Sequence, residues 1–341
     1  MIYRNVEFHN VQEIIPLEDG AFTWRRIPQQ AEETLERGEK SLAASRSCIG
    51  VEMRFVMRSD TVTIRMAKRD PASTVHNDII VYRGGIQVNR SICVDSEYKD
   101  IVIKQPSGYE NYDLMKKFSD ESGCGWDPNV IRVIFNWGAY RIMDIIGDVE
   151  PPKPEQTPAK TLLTYGSSIT FGAYSHSTLT CWASLVARSL KADHLNKGFA
   201  GSCWMEPEMI KYLTELGQQN KWHIATLELG INCLSWEEDK IYQRVRMVLR
   251  EVAGKNQDKP IFVISPFISR NDLGEATKAA RWREIIQELV EEAALPNVTY
   301  INGMEILNDP SLLCSDMLHP SAYGHLRMAE NVYARMKDCK F

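Results

Sequence analysis

The 341-residue sequence has no long apolar run and no excess of positive charge. No stretch approaches the roughly 20 consecutive apolar residues of a membrane-spanning helix, so we expect no membrane partner. Lys and Arg number 40 against 45 Asp and Glu, and the formal net charge of -5 argues against a nucleic-acid partner. The N-terminal segment has no apolar core behind a basic start, and without a visible export signal we expect a cytoplasmic protein.

The sequence also lacks the cysteine spacing of metal and redox sites. None of its 8 cysteines belongs to a Cys-x-x-Cys pair. This absence argues against a structural zinc site and against a redox dithiol. We therefore expect free thiols packed as small hydrophobic side chains, and no metal.

Four of the 15 prolines lie in one short segment. Residues 150–158 read Glu-Pro-Pro-Lys-Pro-Glu-Gln-Thr-Pro, which can continue neither a helix nor a central strand. We interpret 151–160 as a linker between a domain at 1–150 and a domain at 161–341.

The first domain shows the period-two pattern of β-strands. Residues 51–55 and 61–66 alternate apolar and polar side chains, and 78–82 and 86–88 flank a turn that contains two glycines. Short strands separated by turn signals predict an antiparallel, jelly-roll-like β-sandwich. Only residues 29–40 have a helical pattern in this domain.

In the second domain, apolar strands alternate with helical patterns. The strands fall at 161–165, 224–229, 261–265 and 298–301, and between them the apolar residues of 241–252 recur with helical spacing. This alternation predicts a parallel sheet with helices on both faces. Because such sheets bind ligands beyond the carboxyl ends of their strands, the chemistry is expected there.

The first of these carboxyl ends carries the turn Tyr165-Gly166-Ser167-Ser168. A serine on a sharp turn between a strand and a helix is exposed beside free backbone N–H groups, which is the position of a catalytic nucleophile. Ser168 is therefore a candidate nucleophile. An ordinary glycine turn with small polar residues is the alternative.

Two further strand ends carry candidate donors to an oxyanion. Gly201 lies in a glycine-containing loop, where the backbone N–H can approach a substrate. Asn232 follows the strand at 224–229, and its side-chain amide can donate to the same charge. A plain glycine loop and an asparagine that bonds its own backbone are the alternatives.

The last segment reads Asp-Met-Leu-His-Pro from residue 316. The proline keeps His319 out of the helical conformation and suits the first turn of the helix that follows. Asp316 can accept a hydrogen bond from His319 Nδ1, which leaves Nε2 as a base. A single histidine is more commonly a surface or core residue, and we interpret His194, His223 and His325 in that way.

In this order, Gly-x-Ser-Ile-Thr, a glycine loop, Gly-x-Asn and Asp-x-x-His resemble the SGNH (GDSL-type) hydrolase family over residues 160–341. The resemblance implies a flavodoxin-like, three-layer α/β/α domain with five parallel strands, and no cofactor. It implies Ser168 as nucleophile, His319 as base and Asp316 as the residue that orients the histidine. It also implies an oxyanion hole formed by the Ser168 and Gly201 backbone N–H groups and the Asn232 side chain.

Two positions depart from the usual family pattern. Ser167 stands where the family often has the aspartate of Gly-Asp-Ser, and Cys233 stands where it often has the aspartate of Gly-x-Asn-Asp. Neither change removes a residue that the implied mechanism requires. The layout, a strand-rich domain before the hydrolase domain, is similar to that of family 2 carbohydrate esterases.

The substrate expected from these features is a small-molecule or oligosaccharide ester, with acetyl as the favoured acyl group. Four aromatic residues close to the motifs are candidates to stack on a sugar ring: Phe171, Tyr174, Trp204 and Trp236. Packing against the sheet is the alternative for Trp236. Two other functions stay open: an acyltransferase that uses the same triad with a sugar or alcohol acceptor, and a non-catalytic carbohydrate-binding protein.

Overall fold

The structure is a computed structural model that describes residues 1–70, 77–105, 112–273 and 277–341. The chain forms two compact units. The first consists of Met1–Ile27, Arg46–Ala159 and Lys191–Asp193, and the second of Pro28–Ser45, Lys160–Leu190 and His194–Phe341.

The first unit is built around two antiparallel sheets, which agrees with the predicted antiparallel β-sandwich. Its described strands are β1 (Ile2–Tyr3), β2 (Val6–His9), β3 (Glu13–Pro16), β4 (Phe22–Arg25), β5 (Glu52–Met57), β6 (Thr61–Lys68), β7 (Asp78–Arg83), β8 (Ile86–Gln87), β9 (Ile92–Cys93), β10 (Lys99–Lys104), β11 (Val130–Phe135), β12 (Tyr140–Ile146) and β13 (Val149–Glu150). One sheet has the order β1-β2-β5-β11-β7-β8, with β13 on β5 and β9 on β7, and the other has the order β10-β6-β12-β4-β3.

The core of this unit lies between the two sheets. In β6, Val62, Ile64 and Met66 are buried while the residues between them are more exposed. They share one apolar cluster with Met53 and Phe55 of the opposite sheet. Burial of each such side chain contributes about 1.5–3 kcal/mol. The period-two pattern of the sequence is thus the pattern of side chains that face this core.

A buried ion-pair network holds Asp193 in the first unit. The Arg54 guanidinium donates to both Asp193 carboxylate oxygens at 2.7 Å and to Glu52 at 2.9 Å. The Arg54 guanidinium also lies 4.7 Å from the centre of the Trp126 ring. Since Arg54 is 1% exposed, its charge requires these partners, and they explain why Lys191–Asp193 belongs to this unit.

The segment at 28–45 belongs to the second unit, whereas the sequence predicted that it lies in a first domain at 1–150. It contains the helices α1 (Gln29–Glu33) and α2 (Glu39–Ser45). The physical reason is a set of polar contacts: Glu36 pairs with Arg244 and Lys240, and its backbone N–H donates to Glu206.

The proline-rich segment has local structure of its own. Pro154–Gln156 forms a 3₁₀ turn, and the Gln156 carbonyl accepts a hydrogen bond from the Asp127 N–H at 3.0 Å. Residues up to Ala159 pack with the first unit. One helix of this unit, α3 (Tyr112–Ser122), was not expected from the sequence; its apolar side chains Leu114 and Phe118 are exposed, and none of its residues is buried.

The second unit confirms the predicted flavodoxin-like domain. Its strands are β14 (Thr161–Gly166), β15 (Asp193–Gly198, of which Asp193 is grouped with the first unit), β16 (Ile224–Glu228), β17 (Ile261–Ile264) and β18 (Val298–Ile301). The sheet order is β15-β14-β16-β17-β18, and β14, β16, β17 and β18 run parallel. In chain order within this sheet the strands are arranged 2-1-3-4-5. This is the doubly wound strand order of flavodoxin-like sheets.

The described helices of this domain are α4 (Ser168–Phe171), α5 (Trp182–Ser189), α6 (Pro207–Gln218), α7 (Glu238–Val248), α8 (Lys278–Ala293), α9 (Gly303–Ile306) and α10 (Ala322–Met336). Helices α5 and α10 pack together, and α7 packs with α6 and α8. None of the helices in the described part of the chain has the length and apolar character needed to cross a membrane.

Candidate active site

The turn between β14 and α4 presents Ser168 at the carboxyl end of the sheet. Ser167 caps α4, because its Oγ accepts the Ile169 N–H at 3.1 Å, and Ser168 is the first residue of the helix. An added Cβ at Gly166 would overlap Glu228 Oε2 and Thr170 Oγ1, so only glycine fits there. Ser168 is half-buried, which leaves part of the residue accessible.

Ser168, His319 and Asp316 form a continuous hydrogen-bonded chain. Ser168 Oγ lies 2.7 Å from His319 Nε2, and His319 Nδ1 lies 2.6 Å from Asp316 Oδ2. The carboxylate favours the tautomer with the proton on Nδ1, so Nε2 is left to accept the serine proton. This is the geometry required for general-base activation of a serine hydroxyl.

The loop that carries the acid and the histidine is held by its own backbone. Asp316 Oδ1 accepts the N–H groups of Leu318 at 3.0 Å and His319 at 3.1 Å. Partial burial acts to raise the pKa of Asp316, but these bonds and the one from the His319 ring outweigh it and leave the pKa below its usual value. From a neighbouring loop, the Arg270 N–H donates to the Met317 carbonyl at 2.6 Å.

The loops that carry Gly201 and Asn232 are joined by hydrogen bonds, among them one from Trp204 Nε1 to the Asn232 carbonyl at 3.1 Å. The Cys203 N–H donates to Asn232 Oδ1 at 3.1 Å, and the Phe199 N–H at the start of the first loop donates to the Gly166 carbonyl at 2.8 Å. With Oδ1 occupied, Asn232 Nδ2 is the side-chain group still able to donate. Within the described residues, no side chain or carbonyl accepts from it.

Gly201 has a backbone conformation that favours glycine. Its φ is +66°, in the left-handed region, although an added Cβ would meet nothing within 4 Å. Glycine is therefore favoured at 201 by the backbone conformation and not by a lack of space for a side chain. No acceptor for its N–H lies within the described part of the chain, so this donor is available to a ligand.

The four aromatic candidates have different surroundings. Tyr174 is 59% exposed, and its ring centre lies 5.2 Å from that of His319. Trp236 is only 7% exposed, in agreement with the packing alternative. The Trp204 ring lies 4.9 Å from the Arg37 guanidinium and 5.1 Å from the Lys240 ammonium, while Phe171 is half-buried. Of the four, Tyr174 combines an exposed ring with a position beside His319.

Glu228 is a residue of this region that no sequence motif indicated. It ends β16, is 1% exposed, and its carboxylate accepts hydrogen bonds from Ser167 and Thr170. Burial raises the pKa of Glu228 to about 7, against the opposing effect of these hydrogen bonds. A carboxylate within an otherwise apolar strand was the signal that could have identified it.

His325 is a second such residue, interpreted from the sequence as a core or surface histidine. It is fully buried; its Nδ1 accepts the Trp182 N–H at 3.3 Å, and its Nε2 lies 3.0 Å from the Ala173 carbonyl. Ala173 precedes Tyr174, so His325 supports the loop that carries the exposed ring. Burial lowers the pKa of His325 to about 4.

This burial predicts a pH-dependent stability. Between about pH 6.5 and 4 the unfolded chain binds a proton that folded His325 does not, so the free energy of unfolding should fall as the pH falls. The full difference amounts to about 3 kcal/mol. Urea unfolding of the parent and His325→Gln from pH 4 to 7 should show a shallower pH dependence in the variant. Equal slopes would contradict the prediction, and exposed His176→Gln, the control, should retain the parent slope.

Among the described residues, no group of three or more His, Cys, Asp or Glu side chains is arranged to hold a metal ion. The site itself brings together a serine hydroxyl, a histidine base and donors for a developing negative charge.

Solved structures share the fold of this chain at low sequence identity. A salicylyl-acyltransferase from a tetracycline biosynthetic pathway is 16% identical, covers 98% of this chain and 94% of its own, and has a TM-score of 0.74. A family two carbohydrate esterase from Cellvibrio japonicus is 13% identical, with coverages of 98% and 94% and a TM-score of 0.63. A family two carbohydrate esterase from Clostridium thermocellum, in complex with cellohexaose, is 17% identical, with coverages of 84% and 91% and a TM-score of 0.58.

At these identities the structural similarity establishes the fold, and the family follows from the sequence. No curated protein matches the chain significantly. The model of the GDSL-like lipase/acylhydrolase family matches residues 159–337, more than half of the chain and the part that contains Ser168, Asp316 and His319. The resemblance to SGNH (GDSL-type) hydrolases is thereby confirmed: this chain belongs to the GDSL-like lipase/acylhydrolase family and is a carboxylic ester hydrolase.

Proposed function

We propose that this chain hydrolyses short acyl esters, chiefly acetyl esters, of a carbohydrate or small metabolite through an acyl-enzyme on Ser168. The observation that carries the proposal is the unbroken chain of hydrogen bonds from Ser168 Oγ through the His319 ring to Asp316, at 2.7 and 2.6 Å. A serine adjacent to an oriented base is the arrangement that nucleophilic acyl transfer requires.

In the proposed mechanism, His319 Nε2 removes the Ser168 hydroxyl proton as Oγ attacks the ester carbonyl. Asp316 stabilises the imidazolium that forms. The negative charge that develops on the carbonyl oxygen is stabilised by the Ser168 and Gly201 N–H groups and by Asn232 Nδ2. His319 then returns the proton to the leaving alcohol, and water activated by the same histidine hydrolyses the acyl-enzyme.

A saccharide ester is favoured by the exposed ring beside the base. Tyr174 holds its ring within 5.2 Å of the His319 ring, and aromatic faces can stack on sugar rings. The fold shared with carbohydrate esterases, one of them in complex with cellohexaose, supports the same class of substrate.

The role of Tyr174 can be tested by removing its ring. Tyr174→Ala should raise KM for an acetylated saccharide about 3- to 10-fold, the range of one lost aromatic contact, with kcat within about twofold of the parent. Steady-state kinetics measure both parameters. Tyr174→Phe keeps the ring and should keep the parent KM. An unchanged KM in Tyr174→Ala would remove Tyr174 from the binding surface.

Hydrolysis and acyl transfer are distinguished by product analysis. The parent would be incubated with para-nitrophenyl acetate, butyrate and octanoate and with an acetylated xylooligosaccharide, with and without a sugar or alcohol acceptor. Release of free acid that is fastest for acetate supports the proposal. If the acylated sugar or alcohol is formed in excess over the free acid, the result would indicate the acyltransferase alternative instead. Saccharide binding without turnover on any ester would indicate the non-catalytic alternative.

A further inference from the structure

The turn that presents the nucleophile is tied to the neighbouring strand by one buried carboxylate. Glu228 Oε2 accepts the Ser167 N–H at 2.6 Å, the Ser167 hydroxyl at 2.7 Å and the Thr170 hydroxyl at 3.0 Å. Glu228 is 1% exposed, and Ser167 and Thr170 are fully buried. Water therefore has no ready access to replace these bonds.

These bonds determine the orientation of the nucleophilic peptide. Ser167 donates its N–H and its hydroxyl to Glu228, and its Oγ accepts the Ile169 N–H at 3.1 Å. Its carbonyl accepts the Phe171 N–H at 2.9 Å. The peptide between Ser167 and Ser168 is thus held at its carbonyl and on its N-terminal side, and this peptide bears the Ser168 N–H that points to the oxyanion in the proposed mechanism.

The Glu228 carboxylate contacts Ser167, one of the two positions at which this sequence departs from the usual family pattern. The family often places an aspartate at the residue before the nucleophile, whereas this chain has Ser167 there. The Ser167 hydroxyl lies within hydrogen-bond distance of both Glu228 oxygens, at 3.0 and 2.7 Å. A carboxylate introduced at residue 167 would therefore stand directly against Glu228.

We propose that Glu228 is a positioning residue that supplies, from β16, the single buried carboxylate of the nucleophile turn. The buried site has room for one carboxylate, contributed either by residue 167 or by residue 228. The proposal rests on the proposed nucleophilic role of Ser168. It predicts that a carboxylate at 167 lowers activity unless the one at 228 is removed. Two carboxylates in contact in a buried site repel each other, and an ionised aspartate at 167 could only accept a hydrogen bond where the Ser167 hydroxyl now donates one to Glu228.

A double-mutant cycle tests this sharing. Ser167→Asp should lower kcat for para-nitrophenyl acetate about 100-fold, the cost of a misplaced reacting group, with KM within about threefold of the parent. Glu228→Gln, which keeps an acceptor oxygen but loses the charge, should lower kcat about tenfold. If the two positions were independent, the double variant would lose about 1,000-fold. We expect it to lose no more than Glu228→Gln alone, and a multiplicative loss would overturn the proposal.

Two matched variants separate charge from size and from general burial. Ser167→Asn has the size of aspartate without its charge and should retain at least ten times the kcat of Ser167→Asp; equal losses would overturn the proposal. Glu206 is another buried glutamate of the same unit, 1% exposed, with a pKa raised by burial to about 6. Glu206→Gln should not rescue Ser167→Asp, and rescue by it would equally overturn the shared position.

Failure of this inference is distinguishable from failure of the proposed function. The rate at which a fluorophosphonate labels Ser168 reports the nucleophile without any ester substrate, and it should follow the same cycle as kcat. A parent that neither hydrolyses esters nor is labelled would refute the proposed function. An active parent whose two variants combine multiplicatively would refute only the role of Glu228. If Ser167→Asp does not fold, recovery of a folded and active double variant is the expected rescue.

Discussion

Replacement of Ser168 by alanine is expected to lower kcat for para-nitrophenyl acetate by about 10⁴- to 10⁶-fold, as for other serine nucleophiles. The physical reason is that the hydroxyl oxygen 2.7 Å from His319 Nε2 would be lost, and no acyl-enzyme could form there. The change removes one hydroxyl from a half-buried residue, so the variant should fold as the parent does.

The measurement compares initial rates and the burst of para-nitrophenol in the parent and the variant. Ser235→Ala is the control, because Ser235 is an exposed serine of the same unit and should keep full activity. A Ser168→Ala variant with more than about one hundredth of the parent rate would place the nucleophile elsewhere, since loss of a single oxyanion donor alone costs only about 10²–10³-fold.

Replacement of Asp316 by asparagine should lower kcat by about 10³- to 10⁴-fold through the histidine tautomer. Asp316 Oδ1 is held by two backbone N–H groups, at 3.0 and 3.1 Å, so the asparagine carbonyl oxygen should occupy that position. The amide nitrogen would then face His319 Nδ1 and donate to it. With Nδ1 an acceptor, the proton moves to Nε2, and the ring can no longer accept the proton of Ser168.

Steady-state kinetics give the size of this effect, and ¹⁵N NMR of the imidazole gives the tautomer. The matched control is Asp309→Asn, because Asp309 also caps a short turn, with its carboxylate 2.9 Å from the Ser311 N–H, but no histidine in the described part of the chain bonds to it. That control should keep parent activity. An Asp316→Asn variant with a low kcat but the parent tautomer would disprove the tautomer change as the cause of the loss.

The two sheets of the first unit were predictable because burial on one face imposes a period of two on the sequence. Val62, Ile64 and Met66 show this pattern in the sequence and face the core in the structure. The helix at Tyr112–Ser122 was missed although Leu114, Met115 and Phe118 recur with helical spacing, and none of its residues is buried. The segment at 28–45 joins the second unit through ion pairs such as Glu36 with Arg244, and pairs so distant in the chain leave no local pattern.

The candidate site was predictable to the extent that its chemistry is local. The turn before Ser168 and the three-residue spacing of Asp316 and His319 are properties of short segments at strand ends, and such segments can be recognised in order along a chain. The surroundings of the aromatic residues were not predictable in this way. Whether a ring is exposed, as in Tyr174, or covered, as in Trp236, depends on which elements pack around it.

The sequence by itself determined most of the strands and helices, the family and the residues proposed for catalysis, because periodic patterns and short motifs depend only on residues close together in the chain. Only the tertiary structure decided that Glu228 meets Ser167, 61 positions away, and that Asp193 meets Arg54 across 139 positions. Both are buried contacts between charged or polar groups distant in the chain. Such contacts form only when packing removes water and brings their partners within hydrogen-bond distance.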